Sequence, residues 1–136
     1  MTIDKEVLRN ALRDDRLKNI IFKKFGLTGK NHDVEDLIRL SDLETALIHA
    51  FLDDYLEFTY EYPHPINPLA QVMNPIKIVG VKGSYLVVED YEEIKSRFNF
   101  FSNQKQALKY AGEAYKSFLD KTKLVDRAKG LKPYKN

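Results

Sequence analysis

The chain of 136 residues contains no cysteine. That one absence excludes disulfides, thiolate metal sites, redox sensing and cysteine nucleophiles, and it fits a reducing compartment. No stretch approaches the ~20 apolar residues of a membrane-spanning helix, and the opening MTIDKEVLRN lacks the apolar centre of a signal peptide. The chain therefore reads as cytoplasmic. Several chemical fingerprints are missing as well: there is no P-loop, dinucleotide-binding glycine motif, GxSxG elbow or HExxH pair. Ser84, Ser96, Ser102 and Ser117 sit in no motif that would mark a nucleophile. No cofactor is expected.

What is present describes a folded protein. Hydrophobic residues make up 43% and charged residues 31%, with eight Tyr and eight Phe, well outside the disordered range. The length suits one domain with a single core. Within residues 1–136 the pattern divides into a helical part over 4–62, a proline-rich connector over 63–75, a sheet over 76–101, and a C-terminal helix with a basic tail over 102–136.

In the helical part, Val7, Leu8, Ala11 and Leu12, then Leu17, Ile20, Ile21 and Phe25, fall at helical spacing, and Arg13-Asp14-Asp15-Arg16 is a natural break between them. Gly26 is the expected stop. A short helix is predicted over 33–40. Ser41 and Glu44 then have capping-box spacing, opening a helix over 41–61 whose apolar stripes make it the most buried. Two β-rich runs, Ile76–Val81 and Ser84–Val88, flank Lys82-Gly83 as a tight hairpin. A third strand alternates Ile94, Ser96, Phe98 and Phe100 against Lys95, Arg97 and Asn99, with the second set facing water. The last helix starts near Ser102 or Asn103, buries Ala107, Ala111, Ala114 and Phe118, and runs toward Gly130 before a frayed end. The expected class is α+β: N-terminal helices, a three-stranded antiparallel meander, and a long C-terminal helix packed on one sheet face.

Chemical candidates are few. Prolines 63, 65, 68 and 75 make the connector a stiff crossing and hold His64 in a restricted place, which suits a binding residue. His49, Asp53 and Glu57 follow at four-residue spacing and form a minimal metal-ligand set, although a solvated helix face has the same pattern. His32, beside a helix start, reads as a local hydrogen-bonding residue. The acids Glu89, Asp90, Glu92 and Glu93 between two strands read as a solvated turn. GVKG at 80–83 has the GxxG spacing of KH RNA-binding loops, but that loop joins two helices and this one joins two strands.

Charge is the most informative remaining feature. Residues 1–30 carry eight Lys/Arg against four Asp/Glu, residues 31–61 one against nine, and residues 102–136 nine against three. A net charge of +2 thus conceals basic ends around an acidic middle, a separation suited to steering a charged partner. A winged-helix DNA reader of the usual docking mode, with 41–61 in the major groove, is disfavoured because that segment has six acids and no Lys or Arg and would repel phosphates.

The leading expectation is a non-catalytic protein–protein interaction module of inhibitor, immunity or adaptor type. It would dock a basic partner through Asp53, Asp54, Glu57 and Glu61, with Tyr55, Tyr60 and Tyr62 as anchors and His64 at the edge. The alternative is nucleic-acid binding through Lys121, Lys123, Arg127, Lys129 and Lys132. A small metal-dependent enzyme built on His49, Asp53 and Glu57 is the second alternative. No membrane partner is expected.

Overall fold

The computed structural model describes residues 5–54, 58–65, 74–90 and 96–135. Helices α1 (Lys5–Ala11) and α2 (Asp15–Lys24) separate at the expected charged break. The Asp14 carboxylate accepts from the Leu17 amide at 2.9 Å and so starts α2. Gly26, at φ 67, follows its end. Helix α3 (Val34–Ile38) opens on a reciprocal capping box, Asp33 with Asp36. The box expected at Ser41 and Glu44 does not form: α4 (Leu43–His49) starts at Asp42 with no side-chain cap. The long helix over 41–61 is also corrected. It stops at His49, loosens into a π-helical turn Ala50–Asp54, and the chain re-emerges as strand β1 (Phe58–Tyr62).

Strands β2 (Ile76–Val81) and β3 (Ser84–Glu89) form the predicted hairpin, closed at Val81 and Ser84 with Gly83 at φ 83. Strand β4 (Arg97–Phe101) follows, then helix α5 (Gln104–Thr122), a 3-10 turn Asp126–Ala128, and the two-residue β5 (Tyr134–Lys135). The sheet is antiparallel with order β4-β3-β2-β1-β5, two strands more than expected. The end predicted to fray instead pairs with β1, Tyr134 opposite Glu61 and Lys135 opposite Tyr60. Pro133, with no N–H to offer, precedes the first paired residue.

Alternation along the strands sends side chains to two buried faces. Val79, Val81, Leu86 and Val88 meet α1 to α4 around Leu12, Leu17, Ile21, Leu37, Leu47 and Phe51. Ile76, Ile78, Tyr85 and Val87 meet α5 at Ala107 and Ala111, whose small side chains let the helix lie close. Class α+β stands, with α5 on one sheet face. The other face is not open, because the N-terminal helices cover it. The face of β4 expected to be wet is partly covered too: Asn99 and Phe101 lie against Tyr110 of α5, while Phe98 and Phe100 pack on the N-terminal side. Helix α5 ends at Thr122 rather than near Gly130. Lys123 takes a left-handed conformation at φ 59, and the Leu124 amide turns back to donate to the Leu119 carbonyl at 2.9 Å.

Candidate functional site

Much of the acidity of residues 31–61 serves the fold. The Asp33 and Asp36 carboxylates each accept from the other's amide at 3.0 Å. Arg9 of α1 forks onto Glu35, with Nη2 at 3.0 Å and Nε at 3.2 Å from the carboxylate. These contacts hold Glu35, through Arg9, and Asp36, through the Asp33 amide, below the usual carboxylate range. His32 lies 3.4 Å from Asp36, the local role expected of it. Asp42, exposed, and Glu44, half-buried, form no ion pair with any described residue.

The expected docking residues do not share one helical face. Tyr55 and Glu57, and the side chains of Asp53 and Asp54, lie outside the described residues. Because 58–62 is a strand, its side chains alternate: Tyr60 and Tyr62 turn toward α5, and Glu61 turns to the opposite face, across from Lys77. Tyr62 is buried at 6% exposure, and its hydroxyl donates to the Leu108 carbonyl at 3.5 Å. It is a core residue rather than a free anchor, whereas Tyr60 is half-exposed. His49 is exposed at the last position of α4, where the regular helix ends, so its spacing to Asp53 is not that of a continuous α-helical face. Among the described residues no group of three or more His, Asp or Glu could hold a metal ion.

The start of the proline connector is tied down from several sides. The Tyr115 hydroxyl of α5 donates to the Pro63 carbonyl at 2.5 Å. The His64 amide donates to Asn74 Oδ1 at 3.2 Å, and Asn74 Nδ2 in turn donates to Glu61 at 3.5 Å, so the two ends of the connector are held together. The His64 imidazole stands edge-on to Phe118 with ring centres 5.4 Å apart. The restricted placement expected for His64 is therefore produced by α5 and Asn74 as much as by its flanking prolines. Pro68 lies outside the described residues.

One polar cluster had no signal in the sequence. Glu89, expected in a solvated turn, is the last residue of β3 and only 4% exposed. Tyr110 of α5 donates to its carboxylate at 2.7 Å, and Asn99 of β4 donates to the Tyr110 hydroxyl at 3.1 Å. Arg97 stands opposite Glu89 in the strand pairing. Burial, reinforced by the bond to Glu89, pushes the Tyr110 hydroxyl up to about 12. Burial does the same to Tyr62, also to about 12. A raised tyrosine pKa adds stability below the unfolded value, about 10, and that contribution is lost as pH rises through about 12. Burial raises the Tyr115 hydroxyl as well, so titration at 295 nm is expected to show at least three late-ionising tyrosines whose ionisation coincides with loss of structure. In Tyr110→Phe the late-ionising group is one tyrosine smaller, and withdrawing the donor from a buried carboxylate costs about 1.5–3 kcal/mol in urea unfolding.

The basic C-terminal region is laid out differently from a single helix. Lys121 belongs to α5, Lys123 follows its end, and Arg127, Lys129 and Lys132 lie on the 3-10 turn and the extended segment after it. All five are exposed. Lys129 pairs with Asp126 at 3.4 Å, and the other four form no ion pair with a described residue. Val125 and Leu131, 45% and 41% exposed, stand among them.

Fold and surface together define an α+β protein with helices on both faces of a five-stranded antiparallel sheet. Its acidic residues 31–54 lie on one side and its basic α5 on the other. Comparison with protein-family models, curated proteins and solved structures returns no match to this chain. Among the described residues no helix is long and apolar enough to cross a membrane.

Proposed function

We propose that this chain is a non-catalytic protein–protein interaction module that docks a basic partner through the acidic residues of 31–61. One observation carries the reading: nine acids against one base in residues 31–61, of which Asp42 and Glu44 remain without an ion-pair partner among the described residues. Asp33, Glu35 and Asp36 are occupied by caps and by Arg9. The docking charge therefore falls to Asp42 and Glu44 together with Asp53, Asp54 and Glu57. Such a surface accelerates encounter with a basic patch more than it deepens affinity, so the association is salt-sensitive. An inhibitor, immunity or adaptor role in the cytoplasm fits these properties.

The test is affinity capture of the tagged chain before and after nuclease treatment, with the captured partner then purified. A stoichiometric protein that survives nuclease is expected. Its association rate falls at least about tenfold for the combined Asp42→Lys, Asp53→Lys, Asp54→Lys and Glu57→Lys variant. A partner whose binding rate ignores both that variant and added salt would overturn the reading.

A further inference from the structure

Helix α5 buries Ala107, Ala111 and Leu119 against the sheet and turns its opposite side to solvent. On that outer side Lys105, Lys109 and Lys116 recur at intervals of four and seven residues, and Lys123 follows just past the helix end. At 3.6 residues per turn the three helical lysines fall within about 40° of one another, over about 17 Å. All four are exposed, and none has an ion-pair partner among the described residues. The two acids of this helix, Glu113 and Asp120, stand one turn beyond Lys109 and Lys116 and about 40° from them on the same outer face, so the excess of positive charge rests on the remaining lysines and on the residues past the helix. Lys121, Arg127, Lys129 and Lys132 continue the positive surface beyond the helix. From 104 to 133 the balance is eight Lys/Arg against three Asp/Glu.

We propose that this outer face of α5 is a docking surface for the phosphate backbone of duplex nucleic acid, used without regard to base sequence. Four observations select that occupant. Seven of the eight cations are lysine, a residue depleted at the centre of protein interfaces but suited as a point charge to phosphate. A helix that binds anionic membrane needs an apolar face free to insert, and that of α5 is consumed by the core. Single strands are held on free aromatic platforms, whereas the α5 rings are engaged: Tyr110 with Glu89 and Phe101, Tyr115 with Pro63, and Phe118 with His64. The charges lie on the convex outer face of a helix already packed on the sheet, where they meet phosphates, and phosphate contacts carry no sequence information.

The acidic residues 31–54 do not oppose this contact, because they lie beyond both α5 and the sheet. That distance exceeds a helix diameter of about 10 Å and the Debye length of about 8 Å at physiological ionic strength. The surface is independent of the protein-docking reading above. Since the two occupy opposite sides of the sheet, both partners can be held at once.

The experiment is fluorescence anisotropy of labelled 20-base-pair DNA and RNA duplexes of random sequence, titrated with the full chain from 50 to 200 mM salt. Four phosphate contacts give a slope of log K against log salt of about −3.6, or roughly 100-fold weaker binding across that range. The quadruple variant Lys105→Gln, Lys109→Gln, Lys116→Gln and Lys123→Gln is expected to bind at least about tenfold more weakly at 50 mM salt, with a much shallower slope. The matching lysine-to-arginine variant is expected to bind like the wild type. All four positions are exposed, so circular dichroism and the thermal midpoint should be unchanged in both variants. Relative affinity for the two duplexes tells which nucleic acid is preferred. No binding at 50 mM salt, binding unchanged in the glutamine variant, a single strand bound more tightly than the duplex, or capture by phosphatidylserine vesicles but not by duplex would each overturn the proposal.

Discussion

Phe51→Ala is expected to lower stability by about 3–5 kcal/mol, the largest truncation effect in the molecule. Among the described residues Phe51 is the largest side chain with no exposure, and it sits in the π-helical turn where the N-terminal helices give way to the sheet. Its ring lies 5.7 Å from that of Phe100 on β4, tilted at 49°, so one side chain joins the helical layer to the far strand of the sheet. Truncation leaves a cavity that neither layer can close alone, since strands and helices meet there as rigid elements. Total stability for such a domain is on the order of 5–15 kcal/mol, so the loss lowers the melting temperature by on the order of 10 °C. Urea unfolding followed by circular dichroism measures it directly. A change under about 1 kcal/mol would mean that Phe51 does not join the two layers.

Gly80→Ala is expected to cost about 2–4 kcal/mol although it adds a single methyl group. A Cβ at this position of β2 would stand 2.6 Å from the Ser84 carbonyl oxygen, 3.0 Å from Tyr85 Cδ1 and 3.1 Å from Tyr85 Cα. Two of those three neighbours are backbone in the paired strand and cannot rotate aside. Relief requires the β2–β3 hairpin to open, and that hairpin supplies both buried sheet faces. Heat-induced unfolding of wild type and variant gives the difference. An unchanged midpoint would show that the hairpin yields at little cost.

The parts of this fold legible in sequence are those whose cause is local. Residues 76–81 and 84–88 read as strands because β-branched residues flank a two-residue turn with glycine where positive φ is required. The break before α2 was visible because Asp14 caps the helix that follows it. The start of α5 was visible for the same reason: Asn103 accepts from the Lys105 and Gln106 amides at 2.8 and 3.2 Å. Where local signals conflicted, tertiary contacts prevailed. The stripes over 41–61 are apolar enough for one long helix, yet 58–62 is more favourable as a strand between β2 and β5. That exchange of period from 3.6 to 2 separates Glu61 from Tyr60 and Tyr62, and divides a surface that would be continuous on a helix.

The sequence alone determined the α+β class, the hairpin, the separation of charge and the basic character of the C-terminal region. Each depends on neighbours in the chain or on composition, which folding does not alter. Only the tertiary structure decided that both sheet faces are covered, that Glu89 is buried beneath Tyr110, that the C-terminal residues pair with β1, and that Lys105, Lys109 and Lys116 share an exposed face of α5. The first three depend on contacts distant in sequence, 21 positions for Glu89 and Tyr110 and 73 to 75 for β1 with β5, for which no local pattern exists. The fourth requires knowing which side of α5 the core consumes, and that is set by Ile76, Ile78, Tyr85 and Val87 on the sheet beneath it.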